Sequence, residues 1–299
     1  RRDIRAKLSG AAYVHDMELP GMVYGRVCRP PTYTAKLKRF DVAAVEALPG
    51  VVAVVVSGSF IGVCAEREEQ AVKALEAVRA AALWHEHTAL PASGPVSEFL
   101  PRMQSQRNVV YRKDAPAAPG FTRLEATYTK PYIAHASIGP SCALARYAEG
   151  RLTIWSHTQG SHLLRDQIAR ALGVPNTSVD VIHADGAGCY GHNGADDVAL
   201  DAALLARACG RPVLTQWTRA DELAWSPYGS AMMVRMCGAL DAEGHIVDWQ
   251  HEIWSHTHIK RPGWGEGINL LAAWHMDPPH PVPSARDVPQ PAGGADRNA

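Results

Sequence analysis

Gly186-Ala187-Gly188-Cys189-Tyr190-Gly191-His192-Asn193-Gly194 decides how this chain is read. Its four glycines and an asparagine permit backbone angles closed to most residues. The apolar run Ser178-Val179-Asp180-Val181-Ile182-His183 leads in as a strand. Ala195 to Cys209 leads out as a helix of good formers, with Asp196 and Asp197 in the first turn, where acids favour the helix dipole. Strand, glycine loop and helix N-terminus together present backbone N–H groups to an anionic cofactor.

The rest of the composition narrows the function classes. At 299 residues the chain has room for two domains of ordinary size. Lys+Arg and Asp+Glu both number 30, and no basic stripe occurs, so no nucleic-acid partner is expected. No apolar run reaches the about 18 residues of a membrane-spanning helix. A soluble protein of the cytoplasmic or periplasmic face is expected, with any targeting signal upstream of Arg1. Six scattered cysteines without a CxxC pair suit neither an iron–sulfur cluster nor a c-type haem, and free thiols are expected.

Outward from the loop, the elements alternate. Residues 1–85 read as a compact α/β unit. It has strands at Met22–Cys28, Val51–Val56 (buried, by its β-branching) and Ile61–Ala65, and helices at Asp41–Leu48 and Glu68–Trp84. The longer helix places Ala71, Leu75, Val78 and Ala82 on one face. Residues 86–120, rich in Pro, Ala, Ser and mixed charge, read as a connector. From 121 to 299 strands are expected at Leu124–Thr129, Cys142–Tyr147, Leu152–Ser156 and Pro212–Trp217. Glu149-Gly150 marks a hairpin, a helix at Leu163–Leu172 is stopped by Gly173 and Pro175, and a long hairpin spans Ala231–Leu240 and His245–His258. Six prolines in residues 278–291 exclude regular structure there.

Three chemistries compete for these residues. Gly186-x-Gly188-x-x-Gly191 fits a dinucleotide fingerprint and an NAD(P)-dependent oxidoreductase, but Thr218-Arg219 stands where the ribose-binding acid belongs, and Gly191 to Gly194 lengthens the loop. His251, His256 and His258 share a strand, yet 251 points away from the other two, and exposed histidines read better than zinc. The His85-x-His87 pair reads as solvated for the same want of further ligands. Cys189 at a helix N-terminus would hold a thiolate, but neither a nucleophile elbow nor a His–Asp pairing accompanies it. A non-catalytic docking module is the remaining alternative.

The order of motifs resembles the large, molybdopterin-binding subunit of the xanthine dehydrogenase/aldehyde oxidoreductase family, closest in look to the nicotinate dehydrogenase and isoquinoline 1-oxidoreductase large subunits. Arg2 to Gly10, Tyr13-Val14-His15-Asp16, Pro20 to Val27 and Leu48 to Val52 resemble the family's α/β-hammerhead domain. His135-Ala136-Ser137-Ile138-Gly139-Pro140 resembles the opening of its cofactor domain. Gln159 lies 31 residues before Tyr190, as the family's molybdenum-facing Gln lies before its glycine-loop Phe, so Ala187 to His192 is the counterpart of the GGGFGG loop.

The resemblance implies an α+β fold: the hammerhead domain, then the first, incomplete part of a mixed α/β molybdopterin-binding domain. It implies oxidative hydroxylation of an N-heteroaromatic ring carbon or an aldehyde, with water as the oxygen source. Gln159 would hydrogen-bond an oxygen ligand of molybdenum. Gly188, Cys189, Tyr190 and Gly191 would line the cofactor, in its molybdopterin or cytosine dinucleotide form, and the Tyr190 ring would wall the pocket of a small-molecule substrate. No side chain here is expected to ligate a metal. Electrons would leave through a small partner subunit carrying [2Fe–2S], and a cytochrome c could accept them next. Gly194 replaces the Glu of xanthine-type enzymes, which argues against purine-like recognition. Asp296 to Ala299 resembles a mid-domain point, which implies a fragment inactive alone and a general-base Glu beyond it.

Overall fold

The computed structural model of the chain describes residues 2–10, 13–86, 94–103, 105–113, 122–256 and 267–278. Contacts divide it into two units, one of Arg1–Ala89, Ala134–Pro227 and Ile259–Ala299, the other of Leu90–Ile133 and Tyr228–His258. The division expected at residues 85 and 120 follows chain order, whereas strands from both sides of it share one sheet.

The first unit opens with α1 (Ile4–Leu8), β1 (Val23–Cys28), β2 (Lys36–Arg39), α2 (Val42–Glu46), β3 (Val51–Ser57), β4 (Phe60–Ala65), α3 (Glu68–Ala81) and β5 (Leu83–His85). α4 (Val96–Phe99) and β6 (Thr122–Lys130) belong to the second. The chain then returns to the first with β7 (Cys142–Ala148), β8 (Arg151–Ser156), α5 (Ser161–Leu172), β9 (Val179–His183), α6 (Ala195–Cys209), β10 (Val213–Gln216) and α7 (Arg219–Trp225). β11 (Met232–Leu240) and β12 (Ile246–Ser255) complete the second unit, and α8 (Leu271–His275) the first.

Seven strands form the main sheet in the order β3-β4-β1-β10-β7-β8-β9. β1 with β10 and β8 with β9 run parallel, and the other neighbours are antiparallel. Alternation along β4 shows how the layers stack. Phe60 and Cys64 join the core around α6, with Leu200 and Leu205, while Ile61 and Val63 face Leu75 and Val78 of α3. Farther along the sheet Ala143 and Ala145 of β7 face α6, and Cys142 and Leu144 are covered from the other side by Val14.

Two local expectations are corrected. β3 is half-buried rather than buried, because it is the edge strand of the sheet. α3 stops at Ala81 instead of reaching Trp84: Ala82 leaves the helical region (φ −72°, ψ 124°), and β5 pairs antiparallel with β2. The expected inner face of α3 (Ala71, Leu75, Val78 and Ala82) is buried. His85 is exposed, while His87, His258 and residues 279–291 lie outside the described residues.

In the second unit β11 lies between β12 and β6, all antiparallel. One face carries Met233 and Trp254, packed under Leu100 and Phe99, so the expected connector contributes a short helix and part of a core. The pairing register puts Leu124, Tyr128, Trp249 and Ile253 together on the opposite face, where all are exposed. His251 is exposed on β12, and His256 stacks on Tyr132 at 5.6 Å.

Helix α6 is buried on nearly every side and carries three acids into that interior. Leu271 N–H donates to Asp197 (2.8 Å), and Trp217 Nε1–H donates to Asp201 (2.9 Å). Arg29 pairs with Asp201 and lies over the Trp217 ring (5.0 Å). Burial pushes the Asp197 carboxyl up to about 8. Asp197 therefore stays protonated in the folded chain at pH values where the unfolded chain has released the proton, and its contribution falls as pH rises from about 4 to about 8. In urea titrations between those limits, Asp197→Asn should gain stability relative to the parent by up to about 1.4 kcal/mol per pH unit.

Candidate functional site

The glycine loop between β9 and α6 sits on rings rather than on open space. A Cβ on Gly186 would lie 2.6 Å from the His157 ring, on Gly191 2.2 Å from His135, and on Gly194 2.5 Å from Trp217. Glycine is required at these positions because those rings already fill the space behind the backbone. Gly188 (φ +114°) and Gly191 (φ +134°) also take angles that side chains avoid, and between them Tyr190 is held at φ 55°. The Tyr190 ring lies against Gly188, whose added Cβ would be 2.9 Å from it, and is 62% exposed.

A second loop, His135 to Pro140, buttresses the first. His135 Nδ1 is hydrogen-bonded to the Pro227 carbonyl (3.0 Å), which fixes the ring under Gly191. Asn193 donates to Ser137 Oγ (3.0 Å), Ser137 Oγ donates to the Cys189 carbonyl (3.4 Å), and Gly139 N–H donates to the Ala187 carbonyl (3.4 Å). Arg219 holds both the Ser137 and Ile138 carbonyls at 2.7 Å. It starts α7, a helix not expected from the sequence although Thr218 and Asp221 form its capping box: Thr218 N–H donates to Asp221 (3.0 Å), and Asp221 N–H to Thr218 Oγ1 (3.1 Å).

Gln159, just before α5, reaches the same place. Its amide N–H donates to Cys189 Sγ (2.8 Å) and to the Gly191 carbonyl (3.4 Å), and the Cys189 thiol donates to that carbonyl (2.6 Å). Gln159, Gly188, Cys189, Tyr190 and Gly191 thus lie on one short stretch of surface. Behind it, Thr158 Oγ1–H donates to Asp196 (2.5 Å), which also meets His192 Nε2 (3.2 Å). Asn193 Oδ1 accepts from Ala195 N–H (3.2 Å), the first N–H of α6. His135, Ser137 and Asn193 lie in stretches read from the sequence, but neither they nor His157 and Thr158 were expected to support the loop, because nothing local marks a side chain that does so from behind.

The donor set suits a polar, anionic, planar group: neutral N–H donors on a glycine surface that brings no side-chain bulk, beside one exposed aromatic ring. The same geometry argues against a dinucleotide. In that fold the strands flanking the helix are parallel neighbours. Here β9 is an edge strand, and β7 and β8 separate it from β10. Two penalties coincide at Gly191, its left-handed angle and its contact with His135. Gly191→Ala should cost on the order of 2–4 kcal/mol by urea denaturation and raise amide exchange in the loop. Gly150→Ala, with φ +77° and no atom within 4 Å of the new Cβ, should cost about 1 kcal/mol.

Residues 105–287 match the molybdopterin cofactor-binding domain. A nicotinate dehydrogenase subunit of Pseudomonas putida is 42% identical over 268 residues, 84% of this chain and 22% of that protein. The beta subunit of isoquinoline 1-oxidoreductase from Brevundimonas diminuta is 26% identical over 87% of this chain and 35% of its own length. Quinoline 2-oxidoreductase from Pseudomonas putida 86 has a similar fold, with a TM-score of 0.66 at 21% identity over 85% of this chain and 38% of that one. Aldehyde oxidoreductase from Desulfovibrio desulfuricans gives 0.67 at 19% identity over 85% and 34%. This chain thus spans 22% of the first of these proteins and little more than a third of the others. With the loop geometry and the matched domain in agreement, the chain belongs to the molybdopterin cofactor-binding family of the xanthine dehydrogenase and aldehyde oxidoreductase type.

Proposed function

We propose that this chain is part of the large subunit of a molybdenum hydroxylase that converts a ring carbon beside an aromatic nitrogen, or an aldehyde carbon, to the hydroxylated product with water as the oxygen source. The observation that carries this is the convergence of the Gln159 amide on the Cys189–Gly191 backbone. The molybdenum–pterin group, in its molybdopterin or cytosine dinucleotide form, supplies two-electron redox chemistry when bound.

The chain's own residues hold and orient. Gly188 and Gly191 would offer backbone contact to the pterin without side-chain bulk, with Cys189 and Tyr190 lining it between them. Gln159, whose amide donates to Cys189 Sγ and the Gly191 carbonyl, would turn a donor toward an oxygen of the bound group. The Tyr190 ring forms a wall for a flat substrate, and its hydroxyl can hydrogen-bond a substrate heteroatom or water. Two electrons and two protons leave for each oxygen gained, the protons through a general-base Glu outside this chain. The electrons pass to a small [2Fe–2S] subunit and on to a cytochrome c. Among the described residues no helix is long and apolar enough to cross a membrane.

Nicotinate, named in the 42%-identical relative, is the first substrate to assay. Full-length protein made with the cofactor machinery should contain about one molybdenum per chain by mass spectrometry and should transfer ¹⁸O from water into product. Absence of molybdenum, or oxygen drawn from O₂, would overturn the reading. Gln159→Ala should lower kcat about 100-fold while molybdenum is retained.

A further inference from the structure

Two histidine rings lie behind the loop, at its floor. His157 is 6% exposed, directly under Gly186, whose added Cβ would be 2.7 Å from His157 Nδ1. His15 lies beside Gly139, whose added Cβ would be 3.1 Å from His15 Nε2 and 2.8 Å from the Ala187 side chain. The ring centroids are 6.2 Å apart and the planes are tilted by 39°.

Their tautomers follow from their neighbours. Cys142 N–H donates to His157 Nε2 (3.3 Å), so the proton of the neutral ring is on Nδ1. Burial holds His157 down to about 4, with His15 and His183 lowering it further and Asp196 opposing, so the ring is neutral at pH 7. His15 Nε2–H donates to the Pro140 carbonyl (2.8 Å), which leaves Nδ1 as the acceptor of the neutral ring. Among the described residues, neither buried Nδ1 has a protein partner. One is a donor, the other an acceptor, and unmet buried polar atoms are costly.

We propose that a single buried water accepts from His157 Nδ1–H and donates to His15 Nδ1, and that this clamp positions the Gly186–Gly188 part of the loop. Ring atoms lie about 1.2 Å from their centroid, so a centroid spacing of 6.2 Å is too long for a direct bond between the rings, and one bridging water would satisfy both unmet nitrogens. The clamp works with two other ties from the same segment and its neighbour: Val14 N–H donates to the Asp185 carbonyl (2.8 Å), and Lys7 meets the Asp185 carboxylate (2.5 Å). The chain's N-terminal stretch therefore braces a loop far along the sequence, with His15 and His157 as positioning residues.

Two variants of the full-length protein distinguish this from plain packing. His157→Asn keeps a side-chain N–H where Nδ1 was, whereas His157→Leu fills the space and removes the donor. Deuterium exchange of the 186–191 amides should be at least about tenfold faster in His157→Leu and within about threefold of the parent in His157→Asn. A packing role predicts the opposite order, and that order, or equal rates, would overturn the clamp. Should both variants fail to fold, a high-resolution crystal structure of the parent decides: an ordered water bonded to both Nδ1 atoms supports the clamp, and a dry gap or another bridging group refutes it. Exchange is read with or without molybdenum, so an enzyme lacking the metal would sink the functional proposal without touching this one.

Discussion

The structure depends on how helix α6 carries its charge indoors. Asp196, Asp197 and Asp201 follow one another along a helix that the sheet and its neighbours enclose, and isolated carboxylates cannot be dehydrated at tolerable cost. Each therefore recruits donors from a different part of the chain. Asp196 meets Thr158 and His192, Asp197 the backbone at Leu271, and Asp201 both Arg29 and Trp217. Those partners come from beyond β8, from the glycine loop, from α8, from beyond β1 and from beyond β10. Removing Arg29 would leave the buried Asp201 without its counter-charge, a larger loss than the bond itself is worth. The helix thereby ties segments remote in sequence to the start of the loop.

That tie explains why the loop is rich in glycine without being a dinucleotide loop. In a dinucleotide site the absent side chains make way for the ligand. Here the missing Cβ atoms of Gly186, Gly191 and Gly194 make way for His157, His135 and Trp217, rings belonging to the protein itself. The outward side keeps the backbone, the Cys189 thiol, the Gln159 amide and the Tyr190 ring. One sequence signature, glycines between strand and helix, thus serves two geometries, and the strand order tells them apart.

Much of this was legible locally. The strand, loop and helix of residues 178–209 fall where the pattern puts them, as do Gly173 ending α5 and the Glu149-Gly150 hairpin, whose residues take φ of 51° and 77°. The convergence of Gln159 on the loop was legible from a spacing and a resemblance, and the structure brings those residues together. What escaped was non-local. The edge position of β3 depends on which strands pair, β5 exists only because β2 lies alongside, and His15, His157 and Ser137 act through contacts that no window of sequence contains. The capping box at Thr218 is a local signal, since a Thr with an Asp three residues on is visible in sequence alone.

The first turn of α6 joins the interior to the site. Two acids there would ordinarily cancel the positive end of the helix dipole. Burial changes that balance. Asp197 holds its proton up to about pH 8, so at neutral pH it adds no charge, and Asp196 directs its oxygens to Thr158 and His192. Asn193 meets Ala195 N–H with a neutral oxygen. Much of the dipole therefore survives toward the loop, where the backbone of Gly188 to Gly191 faces outward. An anion seated there meets a favourable field without a lysine or arginine in the loop.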